Sequence, residues 1–110
     1  MNMGTVGVVS QQHHVDDNGN PAGGDTHGVG FDIEWQNGPL AVDGVRREPN
    51  GAFVEDVILA VIGRIEFYQK SKFHGIHNAV ALGNLYAALE VLTERTRDRE
   101  QRGVEGTHAV

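Results

Sequence analysis

The chain has 110 residues, no cysteine and a net charge of −6, with nine Lys and Arg against fifteen Asp and Glu. That length holds one small domain, and the missing thiols exclude a disulfide framework or a thiolate-held metal. The acidic balance argues against binding a DNA or RNA polymer, which leans on many phosphate contacts, but it leaves room for a small anion held by a local basic cluster.

The opening MNMGTVGVVSQQHH lacks the positive region and long apolar run of a signal peptide. TVGVVSQQHHV (5–15) reads as a strand and DDNGNPAGGD (16–25) as a loop by composition. In GFDIEWQ (30–36), Phe31, Ile33 and Trp35 alternate with Asp32, Glu34 and Gln36, the period of a half-buried strand. Asn37-Gly38 marks a turn, and PLAVDGVRR (39–47) is expected to return as a further strand, with Pro39 confined to its start or to a sheet edge. A small antiparallel sheet follows from these segments.

The second half is helical. Asn50 is expected to cap a helix from about Gly51 to Lys72, with Val54, Val57, Ile58, Val61, Ile62, Ile65 and Tyr68 at i, i+3, i+4 spacing. Its apolar run Val57–Ile62 is far too short to span a membrane. SKFHG (71–75) is a tight connector, and a second helix runs from about Ile76 to Arg102, stopping at Gly103. The fold class is therefore α+β: a small N-terminal antiparallel sheet followed by a long antiparallel helical hairpin, as one domain over residues 1–110. Within it, residues 1–25 form an extension, 26–49 the β part, 50–103 the hairpin and 104–110 a tail.

The first helix carries more apolar surface than a hairpin needs, since Phe53, Ala60 and Phe67 recur on another side and Leu59 widens the girth. A helix apolar most of the way round is buried on most sides, so a second copy of the chain is the expected cover; the alternative is that the sheet covers Phe53 and Phe67. On the second helix, Ala81, Leu82, Leu85, Ala88, Leu89 and Leu92 form one face, and Arg95, Arg99 and Arg102 prolong its edge. Those arginines suit two readings: salt bridges to Glu94, Asp98 or Glu100 on a solvated helix end, or a grip on a phosphate.

Two polar groups are out of place. Asn78 lies on the apolar face of the second helix and Tyr68 ends the apolar stripe of the first, on either side of the connector. They either bond one another or a loop carbonyl, or they form a ligand edge of stacking ring and amide. Asn78 and Arg95 are seventeen positions apart, about 25 Å along a helix, too far to grip one small ligand within a subunit. If two copies of the second helix pack antiparallel about a two-fold axis, the Asn78 end of one meets the Arg95 end of the other. Ring, amide and guanidinium forks then converge, a set suited to a base plus phosphates.

GFDIEWQNGP, NGAFVEDVI, RIEFYQKSKF, the isolated Asn78 and ALGNLYAALEVLTERTRDREQRGVEGTH together resemble the phage signal-sponge family, which comprises Thoeris anti-defence sponges and shorter anti-CBASS sponges. The resemblance covers about residues 30–108. It implies a small homo-oligomer, a dimer or hexamer, acting in the cytoplasm of the infected bacterial host. Such a protein sequesters cyclic nucleotide immune messengers without cleaving them: glycocyclic ADP-ribose isomers, and in some members cyclic di- or trinucleotides. Motif matching implies an ADP-ribose-type pocket shared between subunits at Tyr68, Asn78, Arg95 and Arg99, with Tyr68 where relatives often carry phenylalanine. It also implies a second site class, for which Arg102, Gly106 and Thr107 are the candidates.

Other chemistry finds little support in the residues. His13, His14, His27, His74 and His77 do not join a carboxylate pattern into a metal-ligand set. HGVGFDI opens a strand and lacks the third glycine of a dinucleotide fingerprint, and there is no nucleophile elbow. The expectation is a binding protein with no catalytic residues, metal or cofactor. The alternative is a small oligomeric structural phage protein, or an inhibitor of a host protein, without a nucleotide ligand.

Overall fold

The computed structural model describes residues 8–103 and 106–109. They divide into two compact units, residues 8–52 with 106–109 and residues 53–103.

The first unit is built of strands β1 (Val8–Val15), β2 (Pro21–Gly28), β3 (Phe31–Glu34), β4 (Ala41–Val42) and β5 (Val45–Arg46). The first three form an antiparallel sheet in the order β1-β2-β3, and β4-β5 form a separate two-stranded one. Residues 16–25, expected to be a loop, are only partly so: the turn ends at Asn20 and β2 begins at Pro21. Asp16 closes the turn, its Oδ1 accepting the backbone N–H groups of Asn18 and Asn20 at 2.9 and 3.0 Å. The Asn20 bond is the main reason its carboxyl is held below the ordinary carboxylate range. The glycines that read as loop serve pairing instead. Gly24 has φ +130°, and a Cβ there would run into the Gln12 carbonyl of β1, so β1 and β2 approach this closely because no side chain intervenes.

One buried polar residue ties the sheet together. Thr26 on β2 is 5% exposed; its Oγ1 donates to Gln11 Oε1 on β1 at 2.9 Å and accepts Trp35 Nε1–H at 3.0 Å. Thr26→Val keeps the shape but leaves the indole donor without its acceptor. The expected loss is about 1–3 kcal/mol, read by denaturant unfolding followed through the fluorescence of Trp35, the sole tryptophan. A loss below about 0.5 kcal/mol would mean that the bond contributes little net stability.

The alternation expected over residues 30–36 is realised for Ile33 of β3 and for Trp35 just beyond it, both half-buried, but Phe31 is exposed. Its ring lies where a Cβ on Gly28 would sit. The stretch 39–47, expected to be one returning strand, doubles back on itself instead. Asp43 (φ 52°) and Gly44 (φ 78°) are both left-handed, the requirement of a two-residue hairpin turn, and they split it into β4 and β5.

Asn50 does not cap the first helix. Its Oδ1 accepts the Asn37 N–H at 2.8 Å and its Nδ2 donates to the Asn37 carbonyl at 2.9 Å, so the amide pairs as a neighbouring strand would. Gln36 Oε1 answers by accepting the N–H groups of Asn50 and Gly51. A Cβ on Gly51 would collide with the Trp35 backbone, which explains the glycine beside this junction.

The second unit holds α1 (Val54–Gln69) and α2 (Ile76–Gln101). α1 starts three residues later than expected. Its N-cap, Phe53, makes no side-chain cap bond, and Glu55 and Asp56 in the first turn offset the dipole instead. The end of α2 is as expected: Gly103 takes φ 74°, and the N–H groups of Arg102 and Gly103 bond back to Asp98 and Glu100. The two helices pack on each other, and Tyr86 of α2 donates its hydroxyl to Glu66 Oε2 of α1 at 2.9 Å. That bond raises the phenol's pKa above its ordinary value.

The apolar interior of the hairpin is thin. Ile58 and Ile65 of α1, and Ala81, Leu82, Leu85, Leu89 and Leu92 of α2, are half-buried as their spacing requires, whereas Ala88, Val54 and Val61 are exposed. Among the described residues, Ile62, at 2%, is the buried apolar side chain. Phe67, Phe73 and Ile76 remain 56%, 68% and 70% exposed.

Candidate functional site

The connector between the helices positions the first pair of candidate residues. Tyr68 lies in the last turn of α1 and Asn78 in the first turn of α2. They do not bond each other. Asn78 Nδ2 donates twice, to Gln69 Oε1 and to the Phe73 carbonyl, both at 2.9 Å, so the loop-carbonyl partner expected for this amide is present. Gln69 in turn clasps Gly75, accepting its N–H at 2.8 Å and donating to its carbonyl at 3.1 Å. Ser71 completes the turn, its hydroxyl donating to the Tyr68 carbonyl at 2.6 Å and accepting the Phe73 N–H at 3.0 Å.

The Tyr68 ring is held from its own helix. The Arg64 guanidinium carbon lies 4.9 Å from the centroids of both Phe67 and Tyr68, and the two rings are tilted at 6.1 Å. A cation over a ring face adds about 0.5–1 kcal/mol at an exposed site. The result is a surface patch of two partly exposed rings with a cation over them, one residue along the chain from Gln69, the partner of the Asn78 amide. Arg64 and Gln69 escaped the sequence reading. Arg64 was legible in principle, since it stands three and four residues before Phe67 and Tyr68; Gln69 was not, because its partners lie across the connector.

Arg95 and Arg99 lie in the last two turns of α2, Arg95 exposed and Arg99 half-buried. The distance from Asn78 along the continuous helix is the one expected, about 25 Å, so one chain does not bring these arginines to the amide. Arg102, the C-cap of α2, takes the salt-bridge reading: its Nε lies 3.1 Å from Asp98 Oδ2, four residues back. With both side chains largely exposed, that pair is worth at most about 1 kcal/mol.

The remaining candidates belong to the other unit. Gly106 (φ 81°) accepts the Ala41 N–H at 2.8 Å, which lays the tail along β4, and Thr107 Oγ1 accepts the Ala109 N–H at 3.2 Å. A Cβ on Gly106 would lie 3.0 Å from the Arg46 guanidinium. Arg46, a cation that sequence reasoning missed, is thus beside the tail.

His27 sits between two carboxylates. His27 Nδ1 lies 2.7 Å from Asp32 Oδ1 and its Nε2 3.4 Å from Asp25 Oδ1. The Asp32 bond is the chief reason that the imidazole holds its proton to higher pH than usual. Among the described residues, no three His, Asp or Glu side chains are grouped to hold a metal ion. The β unit also has a shallow polar concavity of about 330 Å³, whose lining includes His14, Asp25, Glu34, Trp35 and Asn50, and none of the candidate residues. No described helix is long and apolar enough to cross a membrane.

No protein-family model matches the chain. It is 45% identical over 76 residues to a protein named Thoeris anti-defense 1 from Bacillus phage SBSphiJ7. The matched stretch is 69% of this chain and 51% of that relative, so the chain spans about half the relative's length. Identity at this level over such a stretch reflects common descent, and it agrees with the resemblance carried by the motifs of the C-terminal half: the chain belongs to the Thoeris anti-defence family.

Proposed function

We propose that the chain is a phage-encoded sponge that binds and sequesters cyclic nucleotide immune messengers without cleaving them, blocking bacterial anti-phage signalling inside the infected host. The observation that carries this reading is the 45% identity to a protein named for anti-defence. The geometry of α2 supplies the mechanism. Its start carries Asn78, near the connector that follows Tyr68 of α1, and its end carries Arg95 and Arg99; the two ends complete one site only when a second copy packs antiparallel. The exposed apolar residues of both helices, together with a hairpin interior of one buried aliphatic side chain, support self-assembly into a dimer or hexamer.

In that site the tyrosine ring stacks on a base, the amide reads an edge of the base or its ribose, and the guanidinium forks hold phosphates through paired charge-assisted bonds. Nothing in this set activates a nucleophile or serves as a general base. A site that surrounds its ligand with preformed contacts from two chains loses little ordering entropy on binding, which suits capture of a dilute messenger. Of the second candidate set, Gly106 and Thr107 in the tail would contact cyclic oligonucleotides at another interface, where the Arg46 side chain beside Gly106 adds a cation.

The test is to incubate the protein with a glycocyclic ADP-ribose isomer, remove free ligand, and boil. Unchanged isomer should be recovered in proportion to protein. Recovery of a hydrolysis product contradicts the sponge reading in favour of an enzyme. Failure to retain either this isomer or cyclic di- and trinucleotides favours a structural or host-inhibitor role.

A further inference from the structure

The hydrogen bonds at the connector fix which way the Asn78 amide faces. The Gly75 backbone sets the orientation, because its N–H must find an acceptor and its carbonyl a donor. Gln69 meets both only with Oε1 toward the Gly75 N–H and Nε2 toward its carbonyl, as observed at 2.8 and 3.1 Å. The same Oε1 then requires a donor from Asn78, and the Phe73 carbonyl requires one too; Nδ2 gives both of its hydrogens, each at 2.9 Å. Rotating the Asn78 amide by half a turn would set two pairs of oxygens against each other.

What is left is Asn78 Oδ1. It has no partner among the described residues. Asn78 as a residue is half-buried, and no buried side-chain oxygen or nitrogen among the described residues lacks a partner, so Oδ1 is not sealed from solvent. It can accept and cannot donate.

Resting on the sponge reading above, we infer that Gln69 is a positioning residue that turns the Asn78 amide nitrogen inward and presents Oδ1 alone, so that the site selects a ligand group that donates a hydrogen bond at this point. An exocyclic amine of a base or a ribose hydroxyl satisfies it. A phosphate or carbonyl oxygen faces an oxygen and is repelled, which leaves phosphate to the arginines. Without Gln69 the amide turns freely and loses this discrimination.

The experiment uses the full chain and one probe, a glycocyclic ADP-ribose isomer, with wild type, Gln69→Leu and Gln69→Glu. The Glu variant keeps an acceptor for Asn78 and for the Gly75 N–H, and the Leu variant keeps neither. Calorimetry reads affinity, circular dichroism reads helix content, and nitrogen–proton NMR reads the Asn78 side-chain amide, assigned by its loss in Asn78→Ala. Slow proton exchange at that amide is expected in wild type and in Gln69→Glu, and fast exchange in Gln69→Leu. Binding should weaken about tenfold in Gln69→Leu and by less in Gln69→Glu, with helix content unchanged. Wild-type affinity with slow amide exchange in Gln69→Leu overturns the positioning role and leaves the sponge reading intact. Should Gln69→Leu fail to fold, equal tenfold weakening in a folded Gln69→Glu overturns it. If wild type binds no probe yet the amide exchanges slowly and Gln69→Leu releases it, the functional reading fails while the orientation of Asn78 stands.

Discussion

Arg99→Ala should weaken binding of a glycocyclic ADP-ribose isomer by at least about a hundredfold, or ~3 kcal/mol, while the oligomer keeps its mass. Arg99 is half-buried in the last turn of α2, beyond the stripe of Leu82, Leu85, Leu89 and Leu92. Its removal leaves the apolar seam whole, so assembly has no reason to change. A guanidinium fork on a phosphate makes two charge-assisted bonds of roughly 1.5–3 kcal/mol each, which sets the size of the loss. Arg99→Lys keeps the charge but not the fork and should fall between. Asn78→Ala should weaken binding by about tenfold, the worth of one neutral hydrogen bond with an imperfect replacement. Calorimetry for affinity and native mass spectrometry for assembly separate the two effects. Normal binding by both Arg99→Ala and Asn78→Ala contradicts the assignment of the pocket.

Ile62→Ala should lower stability by about 2–4 kcal/mol, the range for truncating a well-packed isoleucine. At 2% exposure this is the buried aliphatic residue of the described hairpin, and a small domain has only about 5–15 kcal/mol of net stability to lose. The neighbouring Leu59 and Val61 are 49% and 44% exposed within one chain. In an isolated chain their truncation should change stability by no more than about 0.5 kcal/mol. Losses above about 1 kcal/mol at Leu59 or Val61, growing with protein concentration, indicate that another copy covers them. Chemical denaturation at two protein concentrations measures all three variants. A loss below about 0.5 kcal/mol at Ile62 would mean that the hairpin interior is looser than its geometry shows.

The helical half was the more legible because it obeys one period. The spacing of Leu82, Leu85, Leu89 and Leu92 gives the inward face directly, and Gly103 gives the stop, its φ of 74° open to few other residues. The start of α1 was misread because Asn50 is a good helix cap in isolation, and only tertiary pairing with Asn37 shows its amide spent on a strand-like contact. β2 was misread for a related reason. PAGGD, the part of β2 inside the stretch 16–25, has the composition of a loop, yet Gly24 admits the Gln12 backbone and the strand continues to Thr26, which joins β1 to Trp35. Neither role shows in the residue types themselves.

In the candidate site, Tyr68 and Asn78 stood out as polar groups on apolar stripes, and the chain turns them to one end of the hairpin. What could not be read was the support around them. The clasp of Gln69 on Gly75 and Asn78 depends on the path of residues 70–75, and the tail meets Arg46 only because Gly106 pairs with Ala41 sixty-five positions away. Arg102 shows the opposite case. Its i, i+4 spacing from Asp98 was enough to suggest the ion pair that is present.

The account rests on one pocket being assembled from two chains, and mixing two defective variants tests that directly. One protomer carries Asn78→Ala and the other Arg99→Ala; each alone forms an oligomer with every site impaired. In a mixed pair, one site receives both substitutions and the other receives neither. After subunit exchange, calorimetry with a glycocyclic ADP-ribose isomer should recover wild-type affinity at about half the sites of each mixed pair. If mixtures that native mass spectrometry shows to be mixed bind no better than either variant alone, the two ends of α2 do not meet across the interface and the shared pocket is wrong.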